Sequence, residues 1–218
     1  MKQGLLLICM IVMIIIAPGC QTRVAVWGQK QFYQGLPLQQ YWPDIASYLC
    51  SVKVYDQITT IAMFDALLLS GPVYWAYAQN HTLRTGKSKK NKQELFESLV
   101  ASNKKYISFY VLSLYENTLG KDLSLWHTFL RIGNTNYQPV DIVAIDLEPE
   151  YKEFFGTLYT PFKRSYLVRF DAYDQHDQPL ISANTKYLKL YFRSVTKEVS
   201  MIWYLDEQGY CKERHVAC

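Results

Sequence analysis

The chain of 218 residues is long enough for one domain of ordinary size, with or without a helical region in front of it. Half of the residues are hydrophobic, and 18 Tyr, 10 Phe and 5 Trp supply the aromatic side chains that favour β-sheets, which excludes disorder over most of the length. The formal net charge of +4 is too small for a nucleic-acid-binding protein, so we expect no nucleic acid among the partners.

Residues 1–20 have the features of an export signal. Lys2 gives a positive start, and an unbroken apolar run of thirteen residues follows from Leu5 to Ala17. A helix needs about 20 apolar residues to cross a bilayer, so this run is too short for a stable span and has the length of a secretory signal. The segment ends in Ala17-Pro18-Gly19-Cys20, which resembles the lipobox of bacterial lipoproteins.

This resemblance implies that residues 1–19 are a signal peptide and that acyl chains, palmitate among them, are attached to Cys20. In lipoproteins an Asp directly after the lipidated Cys favours retention in the inner membrane, and this chain has Gln21 instead. The resemblance therefore implies a protein anchored by lipid in the outer membrane and facing the periplasm. The alternative is an ordinary secretory signal in which Cys20 carries no lipid.

Three cysteines remain after the signal and the lipid site, namely Cys50, Cys211 and Cys218. In an oxidising envelope they allow one intramolecular disulfide, and all three pairings stay open. A bridge that involves Cys50 is slightly favoured, because closing the longer loop removes more entropy from the unfolded chain. With His215 the same cysteines could instead bind zinc, but an oxidising compartment favours the disulfide, so we expect no metal there.

The front of the mature chain is interpreted as two regions. Residues 20–56 contain Gly and Pro at irregular intervals and are interpreted as a tether and an irregular wrap. Residues 57–104 are interpreted as a helical region. Its first part, Ile58 to Leu69, is ambiguous between a buried helix and a strand that enters a helix, and its length and its Ala, Met and Leu content favour a helix. Pro72 is then a first-turn residue of a second helix that extends to about Leu83.

Five basic residues lie close together between Arg84 and Lys92. This run is interpreted as a solvated turn between two helices rather than as a patch for acidic lipid or polymer. Within it, Gly86-Lys87-Ser88 resembles the end of a phosphate-binding loop, but the Gly that such a loop needs five positions earlier is His81 here. We therefore expect no nucleotide site.

Residues 105–218 are predicted to form an antiparallel β-sandwich with an immunoglobulin-like arrangement, which makes the whole chain mainly β within the α+β class. Apolar side chains alternate with polar ones, as in strands that have one face on a core and the other nearer water. Turn residues separate six or seven such strands. The inward sets are Ile107/Phe109/Val111, Tyr166/Val168/Phe170, Leu188/Leu190/Phe192 and Val199/Met201/Trp203.

The back half has a further resemblance, which is carried by Trp126, Leu130, Gly133, the segment from Leu158 to Phe162, the Tyr166/Val168/Phe170 alternation and the pair Ile202-Trp203. It is similar to a group of uncharacterised proteobacterial lipoproteins in which short helices precede an immunoglobulin-like sandwich. These are packing residues, and they cover about half of the chain. The resemblance implies the fold and the envelope location, and it implies no activity.

Signals for catalysis are few. The chain has no GxSxG motif, and its four His are scattered along the sequence, with His127 expected on the exposed face of its strand. The acids of the Asp146–Glu153 segment could supply the paired carboxylates of a glycan-cleaving hydrolase, which is the alternative function. Because Pro149 interrupts the segment, we interpret these acids as a solvated strand end and assign no catalytic residue.

Aspartates recur at every third position from Asp171 to Asp177 and could hold calcium, but we interpret them as a polar hairpin turn between two strands. Exposed tyrosines, exemplified by Tyr187, Tyr191 and Tyr204, could contact a glycan or a partner protein, or could simply fill the boundary between the core and water. The sequence therefore predicts a non-enzymatic envelope lipoprotein, held in the membrane through its N-terminal lipid, with a structural or a protein- or glycan-binding role. We expect neither a metal nor a cofactor.

Overall fold

The computed structural model describes residues 45–114, 116–120, 124–182 and 185–205. These residues form nine β-strands, three α-helices and two short 3-10 helices, Ile45–Tyr48 and Gly156–Leu158. The helices are α1 (Gly71–Thr85), α2 (Lys89–Asn103) and α3 (Pro149–Phe155). The strands are β1 (Leu49–Asp56), β2 (Thr59–Leu69), β3 (Tyr106–Leu114), β4 (His127–Ile132), β5 (Thr135–Tyr137), β6 (Asp141–Ile145), β7 (Lys163–Asp171), β8 (Tyr187–Arg193) and β9 (Glu198–Tyr204).

The strand order defines an immunoglobulin-like sandwich. One sheet has the order β1-β2-β3-β7-β6 and the other has the order β5-β4-β8-β9, with every neighbouring pair antiparallel. Without β1, these orders are the A-B-E-D and C′-C-F-G orders of immunoglobulin-like domains, with β2 as strand A and β9 as strand G. The predicted mainly β fold is confirmed, and β1 is an additional strand at the edge of the first sheet.

The core between the sheets is built from the alternating side chains that the sequence predicts to face inward. Trp203 is only 1% exposed, and its indole N–H donates to the backbone carbonyl of Tyr48 at 2.9 Å. Phe64 on β2 stacks on Phe192 on β8, with ring centroids 4.1 Å apart. Large aromatic side chains of this kind contribute much of the apolar area that a core buries. The inward assignment of Trp203 is therefore confirmed.

Helices α1 and α3 cover the outer face of the five-stranded sheet and form a second core with it. Val73 and Tyr77 of α1 and Tyr151 of α3 pack there with Leu67 of β2 and Leu112 of β3. Strands β2 and β3 are consequently buried on both faces over much of their length. A strand that is buried on both faces loses the alternation of apolar and polar residues that is typical of a strand with one solvent-exposed face.

The prediction of a helix from Ile58 to Leu69 is wrong for this reason, because the segment is strand β2. The expected helical region of residues 57–104 begins only at Gly71, and its helices lie between strands A and B of the sandwich rather than before it. Likewise, the end of the expected wrap, residues 49–56, is strand β1, which pairs with β2 from Leu49 opposite Leu67 to Asp56 opposite Thr59.

The connection between α1 and α2 agrees with the prediction. Pro72 lies in the first turn of α1, and Gly86 ends the helix with φ 65°, a left-handed conformation that Gly adopts without strain. Ser88 and Asn91 form a capping box at the start of α2. Gly86-Lys87-Ser88 therefore joins two helices, whereas a phosphate-binding loop joins a strand to a helix.

A buried charge pair crosses the five-stranded sheet on its helix-covered face. Lys163 Nζ at the start of β7 lies 2.5 Å from Asp65 Oδ2 on β2, and Ser51 donates to Asp65 Oδ1 at 2.6 Å. The side chains of Lys163 and Asp65 are 5% and 1% exposed. Removing one partner of a buried pair of this kind is strongly destabilising, because the other charge is then left buried without compensation.

Candidate functional site

The acidic segment, residues 146–153, overlaps the start of α3, and one carboxylate of that helix lies against α1. Glu150 is buried, with a side chain that is 1% exposed, and its Oε1 accepts from Arg84 Nε at 2.8 Å. His81 Nδ1 lies 3.1 Å from the same oxygen. The Tyr77 hydroxyl donates to Glu148 and its ring stacks on Tyr151, with centroids 4.5 Å apart. Glu150 and the N-cap residue Glu148 thus hold α3 to α1.

Two opposing effects act on the pKa of Glu150. Burial raises it, but the hydrogen bond from Arg84, a backbone hydrogen bond and the charges of Arg84 and His81 outweigh burial, so the net pKa lies below its ordinary value. Burial, with the nearby Glu148 charge, raises the pKa of Tyr110 to about 12. Burial also raises the pKa of Tyr77, and its hydrogen bond to Glu148 adds to the shift. These shifts keep Glu150 ionised and Tyr77 and Tyr110 neutral near pH 7.

The interpretation of the acidic segment as a solvated strand end is wrong for Glu150. The segment lies partly on α3, and Pro149, expected to interrupt structure, starts that helix. Asp146, Glu148 and Glu153 are exposed, and Asp146 pairs with Lys152 at 2.8 Å. A glycoside hydrolase of the usual kind needs a general acid with a raised pKa. The buried Glu150 has the opposite shift and a fixed cation beside it.

A groove of about 990 Å³ lies where α2, β5 and β7 end. The turn after β7 forms one wall, with Tyr173, Gln175 and the neighbouring Asp and His side chains. Lys104, Lys105, Tyr137 and Gln138 are the remaining lining residues, apart from Asp171 at the end of β7. We call this the polar groove. The polar groove contains two half-buried tyrosines, and its other side chains include hydrogen-bond donors, acceptors, cations and anions. Its volume is that of a typical site for a small ligand.

The side-chain carboxylate of Asp174 organises the wall of the polar groove by accepting hydrogen bonds from the backbone. Its Oδ1 accepts from the N–H of His176 at 2.8 Å and from the N–H of Gln178 at 2.9 Å, and these bonds hold its pKa below the ordinary value. Asp177 takes the left-handed conformation with φ 56°, which Asp tolerates in turns. The segment is therefore a polar turn as expected, closed by an isolated bridge between Tyr173 and Pro179. The expectation that it forms a hairpin between the flanking strands is wrong, because β7 and β8 lie in different sheets. Within the described residues, no group of three or more His, Cys, Asp or Glu is placed to hold a metal ion.

The tyrosines predicted to be exposed on the sandwich differ among themselves. Tyr191 is only 8% exposed, because it stacks on Phe129 with centroids 4.7 Å apart while Arg131 lies over its ring at 4.6 Å. The expectation that Tyr191 is an open contact is therefore wrong. Tyr187 and Tyr204 are half-buried and lie opposite each other on β8 and β9. His127 is exposed, as expected from its position in the alternation.

The cysteine sites fall largely beyond the described residues. Cys50 on β1 is disulfide-bonded, and its Sγ lies 3.7 Å from the carbonyl oxygen of Ile202 on β9. Every other cysteine, including Cys20, Cys211 and Cys218, lies outside the described residues, as does His215. The lipidation site and the disulfide pairing therefore stay predictions. Among the described helices, none has the length and apolarity needed to span a membrane.

Comparison with known proteins identifies no relative of this chain. No protein-family model matches the chain, and neither the curated proteins nor the solved structures give a match. The immunoglobulin-like class therefore rests on the strand order, and function has to be argued from the sites themselves.

Sequence reasoning missed most of the polar groove. It singled out the aspartates of the turn after β7 but not Lys104, Lys105, Tyr137 or Gln138, which come from two other connections. Only the topology brings these connections together, because β3 begins where β7 ends, with Tyr106 opposite Asp171. The available signal was the recurrence of Tyr beside Gln or Asp in turns, which is too common to identify a site alone.

Proposed function

We propose that this protein is a lipid-anchored envelope protein that binds a glycan in the polar groove and catalyses no reaction. Anchoring through Cys20 follows from the lipobox resemblance, and residues 1–19 would be removed with the signal. The same resemblance supports the outer membrane as the location, with the sandwich in the periplasm. Cys50 in a disulfide agrees with an oxidising compartment of this kind.

The composition of the polar groove is the observation that carries the binding role. Sugar hydroxyls both donate and accept hydrogen bonds, and the aspartates, glutamines and lysines of the groove can do both in return. Tyr137 and Tyr173 add amphipathic rings of the kind that pack against the apolar face of a ring-shaped ligand. The groove is lined by positively charged lysines and negatively charged aspartates. A neutral or zwitterionic glycan therefore fits it better than a polyanion.

The state of the acids supports binding rather than hydrolysis. In the polar groove, Asp174 uses its carboxylate to hold the turn through two backbone N–H groups. In the acidic segment, Glu150 is paired with Arg84 and Glu148 accepts from Tyr77. A hydrolase would instead place two free carboxyl groups on either side of the bond to be cleaved. Two of the four acids named for the rival function, Glu148 and Glu150, are thus engaged with side chains of α1, which supports the binding role.

The binding role is tested with soluble cell-wall glycan fragments and the purified lipidated protein, by isothermal titration calorimetry. We expect saturable binding that weakens at least tenfold in Tyr137→Ala/Tyr173→Ala, with no cleavage product in the recovered glycan. The matched control is Tyr187→Ala on the four-stranded sheet, which should bind as the unaltered protein does. Absence of binding across the fragments, or equal binding by the double variant, would contradict the proposal. Released oligosaccharides would favour the hydrolase instead.

A further inference from the structure

The most exposed apolar side chains of the described residues belong to four separate connections. Val195 is 100% exposed, Ile58 96%, Phe162 77% and Leu125 70%. The remaining exposed large hydrophobic residues of the described part of the chain are at most 55% exposed. Singly exposed apolar residues are ordinary, but a group of them in one place marks a surface that contacts something apolar.

Topology places all four at the same end of the sandwich. Ile58 lies in the turn between β1 and β2, and β2 begins where β3 ends. Phe162 directly precedes β7, whose first residue lies opposite Leu114, the last of β3. Leu125 precedes β4, and Val195 lies in the β8–β9 hairpin, which is beside the start of β4 because His127 pairs with Arg193.

An ion pair shows that the two sheets meet at this end. Lys197 of the β8–β9 hairpin lies 4.0 Å from Asp56, the last residue of β1. Arg193 and Glu198 pair across the base of the same hairpin. The charges bordering Val195 and Ile58 are thus neutralised by each other. We call the group Ile58, Leu125, Phe162 and Val195 the apolar tip.

We propose that the apolar tip inserts into the interfacial layer of the lipid bilayer and so orients the sandwich on the membrane. Each of its side chains stands on a connection of its own, so each can enter the acyl boundary separately, as the apolar residues of interfacial segments do. A protein partner would more commonly meet a contiguous, well-packed patch. Paired charges beside the tip also lower the cost of bringing it close to the headgroups.

The length of the tether agrees with this orientation and rests on the lipid anchor proposed above. The described chain starts near the opposite end of the sandwich, since Leu49 pairs with Leu67. Fully extended, the 24 residues from 21 to 44 reach at most roughly 80 Å. The longest strand, β2, has 11 residues and spans about 36 Å. The tether can therefore reach from a lipidated Cys20 past the whole sandwich.

Site-specific photocrosslinking tests the proposal on the full chain purified from membranes and reconstituted in phosphatidylethanolamine/phosphatidylglycerol vesicles. Val195 is replaced by the photoreactive residue p-benzoylphenylalanine, and the matched control carries the same replacement at Val140, which is 54% exposed and lies at the opposite end, beside the start of β6. We expect phospholipid adducts at position 195, detected by mass spectrometry, and at least fivefold fewer at position 140. Ile58→Ser/Leu125→Ser/Phe162→Ser should reduce the adducts at position 195 several-fold.

Each other outcome overturns the proposal in a distinct way. Crosslinks from position 195 to a second copy or to another protein would identify a protein interface, and equal lipid adducts at both positions would show no orientation. The anchor is read independently from the mass of the N-terminal peptide. An acylated Cys20 without lipid adducts at position 195 would refute the tip alone. Adducts at position 195 with an unmodified Cys20 would refute only the anchor.

Discussion

The two ends of the sandwich are built from the same strands and differ in almost everything their connections carry. The apolar tip presents one large hydrophobic side chain on each of four connections. The polar groove, at the other end, gathers lysines, aspartates, glutamines and tyrosines around an open volume. Because the sheets fix only where strands start and stop, the connections are free to carry unlike surfaces. Opposite chemistry at opposite ends suits a domain that rests on one end and binds with the other.

The first prediction tests whether the two ends depend on one common core. Trp203→Ala removes a fully buried ring that contacts Phe109 and donates to Tyr48, so we expect a loss of about 3–5 kcal/mol in the free energy of unfolding. Urea denaturation measures this loss, and glycan binding and lipid contact should fail together. A variant that keeps its stability, or loses function at one end only, would show that the ends are not joined through this core.

The second prediction concerns the charge pair just inside the apolar tip. Lys163→Met leaves Asp65 buried without its cation, and we expect a loss of about 3 kcal/mol in the free energy of unfolding. The double variant Asp65→Leu/Lys163→Met removes both charges and should recover most of that loss. Urea denaturation of both proteins measures the difference. Equal stability of the single and double variants would mean that the pair does not hold this end of the sandwich.

The third prediction tests whether the acidic segment contributes to stability without contributing to binding at either end of the sandwich. Glu150→Gln should cost about 1–3 kcal/mol, because the buried group keeps its place but loses its charge beside Arg84. The exposed Glu153→Gln is the matched control and should change stability by less than about 0.5 kcal/mol. Neither change should weaken glycan binding. A folded Glu150→Gln or Glu153→Gln protein that has lost its function while binding normally would favour the enzyme.

The stability that Glu150 contributes also has a defined dependence on pH. Its pKa in the fold lies below the ordinary value of 4.5, so the ionised pair stabilises the fold above that pH. The contribution falls as the pH drops below 4.5 and is lost once the pH passes through the lower folded-state pKa. The difference in unfolding free energy between the unaltered protein and Glu150→Gln should therefore shrink on acidification. A difference that grows at low pH would contradict the pairing.

The fourth prediction has the smallest expected effect on stability and tests most sharply whether the two ends of the sandwich act independently. Serine at all four positions of the apolar tip should change the free energy of unfolding by less than about 1 kcal/mol, since these side chains are mostly in water. Because the two ends share no residues, glycan affinity should stay unchanged, and Tyr137→Ala/Tyr173→Ala should leave lipid contact intact. Calorimetry and crosslinking of both variants measure this independence. Coupled losses without unfolding would contradict it.

Most strands that the sequence predicted have one face nearer water, and β3 was predicted from Ile107, Phe109 and Val111 although it is buried on both faces over much of its length. Strands β7, β8 and β9 alternate in the sequence as they do in the sandwich, and Trp203 was assigned correctly. Strand β2 was interpreted as a helix because α1 and α3 cover its second face. Burial on both faces removes the two-residue alternation of apolar and polar side chains that indicates a strand. The sequence of a strand does not indicate whether a helix from another part of the chain will pack on its second face.

The sites were harder to predict than the fold, because they depend on which connections meet. Glu150 was taken for a solvated acid, since nothing near it in the sequence reveals Arg84 and His81 as partners. The apolar tip was missed for the same reason, because each of its residues is a single hydrophobic side chain in a polar turn. Ile58 and Val195 are 137 residues apart in the chain, and only the pairing of strands reveals that they share an end.

Hydrogen–deuterium exchange of the lipidated protein in nanodiscs tests most directly whether the two ends have different tasks. We expect the turn at Ile58 and the hairpin at Val195 to exchange more slowly than in the variant with serine at all four tip positions. Adding the glycan fragments should slow exchange around Tyr137 and from Tyr173 to Asp177, and leave the tip unchanged. A bilayer that protects the polar groove instead, or a glycan that protects the tip, would contradict the assignment of the two ends.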